Sequence, residues 1–206
     1  MSVHTLPEEE IQRRLLEAQN AYIPPETGLE EYLNSGIFLE PPRPAAVLIP
    51  FVEIENEWHV LFTRRTNDLP EHSGQVAFPG GRADPGDTSP EDTALREAYE
   101  EIGLPPKRVR VLGRMKSFAT ITNYQVTPII GRADWPFPIR LARIEVSRVF
   151  SIPWDWLTDP SNHEIRYRPM PMSRPSIPVI YFQPYEGEVL WGVSAYMVVN
   201  LISILA

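Results

Sequence analysis

The chain of 206 residues carries 19 basic and 27 acidic residues for a formal net charge of −8, with 43% hydrophobic and 22% charged residues. This composition fits one globular domain with a full-sized core and excludes wholesale disorder. The acidic balance argues against a protein that coats nucleic acid or anionic membrane, and the absence of cysteine removes disulfides, thiolate metal sites and cysteine nucleophiles together.

Glu8, Glu9, Glu10, Arg13 and Arg14 make the N-terminal stretch too charged for a signal peptide, so the expected compartment is the cytoplasm. Pro7 to Gln19 places Ile11, Leu15 and Ala18 at helical spacing and predicts a short amphipathic helix. Prolines number 23, about twice the usual share, and five of them (Pro24, Pro25, Pro41, Pro42 and Pro44) mark Tyr22 to Pro44 as an extended arm. Residues 1–44 therefore read as helix and arm, and 45–206 as the domain proper. Ala45–Ile54 and Trp58–Thr63 predict strands joined by a tight turn at Glu55-Asn56, and Val76–Phe78 a short strand running into Pro79-Gly80-Gly81. The strongest helix signals bracket Pro90 to Ile102: Ser89 as N-cap, Pro90 at the first position, Asp92 completing a capping box, then Gly103 and Pro105-Pro106 as the stop. Val109–Met115 and Tyr124–Arg132 follow as strands, with Arg148–Ile152 and Glu164–Tyr167 as weaker ones. Trp154–Leu157 reads as a helical turn, and Pro169, Pro171, Pro175 and Pro178 as a stiff loop before the strand Val179–Phe182. Trp191–Leu205 is the last helix. Its uncharged run, Leu190–Ala206, contains Gly192, Ser194, Asn200 and Ser203 and lacks a basic anchor, so it reads as a core or dimer-interface helix rather than a membrane span. Strands and helices alternating in this way give an α/β domain with a mixed sheet.

The chemistry concentrates on the Pro90–Ile102 helix. At about 100° per residue, Glu101 lies roughly 40° to one side of Glu97 and Glu100 roughly 60° to the other, beside an apolar stripe of Ala94, Leu95, Ala98 and Ile102. Each pair of like charges at this spacing costs about 0.2–0.5 kcal/mol on an exposed helix. A bare Glu-x-x-Glu-Glu is most often a solvated acidic face. Carboxylates beside a core stripe are also what a hard divalent cation requires, since Mg²⁺ takes oxygen ligands and is satisfied by one or two carboxylates plus substrate phosphates.

A glycine pair, Gly80-Gly81, precedes the capped helix, which carries Arg96-Glu97-Ala98-Tyr99-Glu100-Glu101-Ile102-Gly103-Leu104. This stretch resembles the Nudix box, whose core is Arg-Glu-aliphatic-x-Glu-Glu-x-Gly-aliphatic, with Ala98 as the aliphatic. The interval from Gly81 to Arg96 is one residue longer than usual, and Thr88 stands near the place of a usual glutamate. Together with Asp84 and Asp87, these departures resemble the coenzyme A pyrophosphatase branch. So do Leu61-Phe62-Thr63-Arg64-Arg65-Thr66, His72-Ser73-Gly74-Gln75-Val76-Ala77-Phe78-Pro79-Gly80-Gly81, Asn123-Tyr124-Gln125-Val126-Thr127-Pro128, Glu145-Val146-Ser147 and Trp191-Gly192. Branch members often carry basic residues where this chain has Pro70-Glu71, and Arg64, Arg65 or Arg82 would have to replace them toward a 3′-phosphate.

The resemblance implies an α/β/α sandwich and Mg²⁺- or Mn²⁺-dependent hydrolysis of a pyrophosphate bond in coenzyme A or acyl-CoA, giving 3′,5′-ADP and (acyl-)4′-phosphopantetheine. It implies a small nucleotide-derived substrate, with neither nucleic acid nor membrane as partner; the last helix and the arm are candidate surfaces for a homodimer. Glu97 and Glu101 are the expected metal ligands with the Gly81 carbonyl, Glu100 is a third ligand or the base, and Glu145 is an alternative base. Arg96 braces the carboxylates, Glu100 being at i+4. Arg64, Arg65, His72, Arg82 and Tyr124 are candidates for substrate binding, with Phe118 a second aromatic for stacking. ADP-ribose, NADH or a nucleoside triphosphate as substrate, or a non-catalytic nucleotide-binding module, stand as alternatives; isopentenyl-diphosphate isomerase chemistry uses a cysteine, which this chain lacks.

Overall fold

The first two apolar runs form β1 (Arg43–Ile54) and β2 (Glu57–Arg65), an antiparallel hairpin whose turn residues Glu55 and Asn56 take φ of 52° and 65°. Positive φ at both turn positions gives the twist that matches the flanking strands. The computed structural model describes residues 6–20, 41–67, 73–120, 122–169 and 176–206, so the expected arm at 22–40, His72, and Pro171 and Pro175 of the expected loop lie outside the described residues, while Arg43 and Pro44, expected in the arm, begin β1. Strands β3 (Val76–Ala77), β4 (Gly80–Arg82), β5 (Val109–Arg114), β6 (Phe118–Ala119), β7 (Tyr124–Ala133) and β8 (Val146–Pro153) complete a mixed sheet of order β3-β2-β1-β7-β5. In it β4 also pairs with β1, β6 with β7 and β8 with β2. Among the described residues only β1 and β7 run parallel, from Arg43↔Tyr124 to Phe51↔Arg132.

The period of two along the central strands sorts the core into two layers. Ala46, Leu48, Val52, Leu61 and Ile129 face Ala94, Ala98 and Ile102 of α2 (Pro90–Ile102). Ile49, Phe51, Val60, Phe62 and Ile130 face the other way, against α1 (Glu8–Asn20) and the C-terminal helix Gly192–Leu205. The result is an α/β/α sandwich. A short α3 (Trp154–Thr158) leads to a separate antiparallel pair, β9 (His163–Arg168) with β10 (Ile177–Phe182), and then to the last helix, α4.

Three expectations are modified. Pro178, expected in a loop, sits in β10 opposite Tyr167, which a two-stranded sheet allows because each strand has an outer edge where a missing N–H costs nothing. In the capping box of α2, the Ser89 hydroxyl accepts from the Asp92 N–H at 3.1 Å, but the Asp92 carboxylate turns to the N–H and hydroxyl of Thr88. The helix of the 1–44 segment joins the main core: Ile11 and Leu15 are 3% and 1% exposed, and Arg14 donates to the carbonyl oxygens of Leu205, at 2.6 Å, and of Ala206. The uncharged C-terminal run is largely absorbed by this layer through Ala195, Tyr196, Met197, Val198, Leu201 and Leu205. Among the described residues no helix is long and apolar enough to cross a membrane.

Because Leu15 is fully enclosed, Leu15→Ala is expected to lower unfolding stability by about 2–5 kcal/mol. A urea titration followed by circular dichroism checks this, and a change below 0.5 kcal/mol, roughly the size seen at exposed sites, would show that α1 is dispensable to the core.

Candidate active site

The site is built where β4 passes beneath α2. At Gly80 a Cβ would lie 2.5 Å from the Ala46 carbonyl oxygen and 2.6 Å from the Val47 Cα, so neighbouring backbone forbids any side chain. At Gly81 a Cβ would meet the Glu97 carboxyl group at 2.6 Å. The paired glycines thus let the sheet lie against the helix and let a carboxylate rest on bare backbone. One turn on, Glu101 is 4% exposed and accepts a backbone hydrogen bond from Gly80. Burial pushes its carboxyl up to about 8, and the neighbouring Glu97 charge adds to the rise, against the Arg65 guanidinium, which opposes it. Glu97 is also raised by burial, with Arg96 pulling the other way.

Arg96 organises the approach to α2. Its Nε and Nη2 donate to the two Asp87 oxygens at 3.0 and 2.9 Å, and Nη2 also donates to the Arg82 carbonyl at 3.0 Å. Its Nη1 reaches Glu97 at 2.9 Å and Glu100 at 3.1 Å. Asp87 further accepts from the Thr93 hydroxyl and the Asp84 N–H, both at 2.9 Å. The Arg96 guanidinium holds the Asp87 carboxyl well below the usual carboxylate range. A planar fork held by both oxygens of one carboxylate fixes direction as well as distance. Asp87 therefore pins the longer loop to the helix, a role that the sequence marked by position but did not assign.

The donors fit a divalent cation in a particular way. Among the described residues no group of three or more His, Cys, Asp or Glu side chains gathers as a metal-holding cluster. The Glu100 side chain is 57% exposed and tied back to Arg96. What converges is the Glu97 and Glu101 pair beside the Gly81 backbone. Two carboxylates and a carbonyl suit Mg²⁺, which leaves further positions to water and phosphate oxygens. A cation there offsets both the burial and the mutual repulsion of the pair.

The other expected residues divide between the two faces of the sheet. Glu145 is exposed, yet its charge acts on both Glu97 and Glu101, and its backbone is held by the Thr66 N–H at 2.9 Å and the Ala142 carbonyl at 2.7 Å. Arg65 lies on the same face, where its charge acts on Glu101. Arg64 goes to the opposite face and pairs at 2.7 Å with Glu188, a buried carboxylate that Arg148 also holds at 3.2 Å. Arg82 is exposed, and Tyr124 packs against the α1/α4 layer beneath the Arg43 guanidinium, 4.3 Å from its ring centre. Phe118 is spent in that layer, edge-on to Tyr196 at 5.1 Å.

Residues 41–169 match the NUDIX domain family model. The chain belongs to the Nudix family. It is 39% identical over 169 residues, 82% of each chain, to proteins named "Uncharacterized Nudix hydrolase NudL" from Yersinia pestis (strain Pestoides F) and Yersinia pseudotuberculosis (strain YPIII). Among solved structures, the M. smegmatis Nudix hydrolase RenU aligns at a TM-score of 0.51 and 24% identity over 61% of this chain and 80% of that one. DR0079 from Deinococcus radiodurans aligns at 0.50 and 14%, over 82% and 89%. Both likenesses are of fold. The chain is a Nudix hydrolase of a nucleoside diphosphate derivative, in a family that generally uses divalent metal ions.

Two outcomes follow from the geometry. The atom a Gly81→Ala methyl would strike is the end of a flexible side chain, so the fold should survive while Glu97 is displaced; divalent-ion affinity measured by calorimetry should fall about 10–100-fold with little change in thermal midpoint. Unchanged affinity would remove Glu97 from the site. With its folded pKa raised above the unfolded value, Glu101 binds a proton more tightly in the folded state, so metal-free protein should lose stability as pH rises from about 5 to 8. Glu101→Gln should flatten that loss in a series of thermal melts; an unaltered pH profile would locate the cost elsewhere.

Proposed function

We propose that the chain hydrolyses the diphosphate of coenzyme A or acyl-CoA, giving 3′,5′-ADP and (acyl-)4′-phosphopantetheine, with Mg²⁺ or Mn²⁺ held by Glu97, Glu101 and the Gly81 carbonyl. The observation that carries the reading is the Arg96–Asp87 fork beside the buried Glu97/Glu101 pair. The residues that depart from the general box, Asp87 and the longer loop around it, are those that Arg96 uses to hold the carboxylate helix, so the sequence features of the coenzyme A branch have a structural task here.

A divalent cation held by Glu97, Glu101 and the Gly81 carbonyl would neutralise charge on the phosphate oxygens and acidify a water. The water oxygen forms a bond to one phosphorus while the bond from that phosphorus to the bridging oxygen breaks, and the departing phosphate takes the electron pair. Glu145 receives the water's proton: it stands at the rim of the carboxylate pair and is held there by its backbone rather than by an ion pair among the described residues. Glu100, engaged by Arg96, is the second candidate for the base or a further ligand. Arg65 is the cation on the approach to the pair, whereas Arg82 pairs with Ala45 on the other face of the sheet. Arg96 stays fixed and keeps Glu97 oriented.

The test is a panel of coenzyme A, acyl-CoA, ADP-ribose, NADH and nucleoside triphosphates, with Mg²⁺ or Mn²⁺ and the products identified. Coenzyme A is expected to be turned over most efficiently, and Glu101→Gln to abolish turnover with circular dichroism unchanged. Preference for ADP-ribose or NADH would replace the substrate assignment, and full activity of Glu101→Gln at saturating Mg²⁺ would overturn the site.

A further inference from the structure

Adjacent arginines in a strand point to opposite faces, and beside the two at the end of β2 the partner strand is irregular. Arg64 pairs with Arg148 and Arg65 with Val146, so Ser147 is an extra residue of β8 with no partner in the ladder. Its hydroxyl makes the missing connection, donating to the Arg64 carbonyl at 3.0 Å and, more weakly, to the Arg65 carbonyl at 3.4 Å. The next residue closes the same seam. The Thr66 N–H donates to the Glu145 carbonyl and its hydroxyl to the Ile144 carbonyl, both at 2.9 Å. Bulges of this kind re-aim side chains beside functional sites.

The side chain beside this bulge that acts on the carboxylates is Arg65. Its Nε–H is buried and has no hydrogen-bond partner among the described residues, and although its charge acts on Glu101, no ion pair or hydrogen bond joins the two. A buried donor on a charged group is costly to leave unmet. A guanidinium fork matches a phosphate better than any other common anion except a carboxylate. Arg64, by contrast, has spent its charge on Glu188 across the sheet.

We infer that Ser147 is a positioning residue: by tying the bulge to the Arg64 and Arg65 carbonyls it holds the Arg65 backbone so that the accessible end of the guanidinium, beside the carboxylate pair, receives a phosphate oxygen of the substrate. The inference rests on the reading of the site as one for a diphosphate. It assigns Ser147 no contact with substrate or metal, so its effect passes through Arg65 alone.

A double-mutant cycle on the best substrate of the panel tests this. Arg65→Gln should lower kcat/KM about a hundredfold, Ser147→Ala about tenfold and mainly through KM, and Ser147→Thr, which keeps the hydroxyl, should stay within about twofold of wild type. In the Arg65→Gln background, Ser147→Ala should cost nothing more. Mg²⁺ binding alone, by calorimetry, should be the same in Ser147→Ala and Ser147→Thr as in wild type, and in the double mutant as in Arg65→Gln. Losses that multiply, or a Ser147→Ala protein equal to wild type, would overturn the assignment. If Ser147→Ala does not fold, Thr66→Val opens the same seam and should show the same dependence on Arg65; independence from Arg65 would overturn it equally. If no panel member is turned over, the functional reading fails by itself, and the same cycle on the affinity for Mg²⁺-ADP decides the positioning role by the same criterion.

Discussion

Burial of Glu101 against the Gly80-Gly81 backbone is the contact on which the rest of this structure turns. A carboxyl that is 4% exposed, with a second carboxylate one turn away, costs the fold free energy unless its surroundings answer for it. The surroundings answer in three ways. Gly80 supplies a backbone donor, Arg65 a cation at some remove, and Arg96 a clamp on the neighbouring Glu97. None of these neutralises Glu101, and burial still raises it to about 8. The site is therefore strained in charge but settled in geometry, an arrangement suited to the proposed divalent cation.

The same economy explains why so few side chains do so much. Arg96 makes five hydrogen bonds to four residues, and through Asp87 it fixes the loop that precedes its own helix. Opposite it, the period of β2 splits two consecutive arginines between the faces of the sheet, one toward the carboxylates and one toward Glu188. Charge on this acidic protein is thus arranged locally, cation by cation. Its net balance says little about the anions it meets, because a metal held by acidic residues inverts the sign of the site.

Much of the fold was legible in the sequence because its local signals agree with its packing. Ser89, Pro90 and Gly103 bound α2 where capping chemistry puts them, and Glu55-Asn56 makes the expected turn. What escaped is non-local. Pro178 reads as a loop residue until a partner strand with an outer edge is present, and the two-residue β6 is too short to carry a period. Arg64 and Arg65 fall on opposite faces by the strand period, but what each face holds, Glu188 for one and the carboxylate pair for the other, comes from segments distant in the chain. Asp87 was visible as a residue out of pattern, but only the folded loop shows what it holds.

By itself the sequence determined the helix that carries Glu97, Glu100 and Glu101, its caps, the glycine pair before it and the sorting of apolar residues onto two faces of a mixed sheet. These are matters of spacing along one chain, where the periods of helix and strand act directly. The tertiary structure decided which carboxylates are buried, that Glu100 is turned away to Arg96, that α1 belongs to the core, and which arginine faces the site. Burial and electrostatic environment arise from segments distant in sequence, so which charge meets which is settled only when those segments pack together.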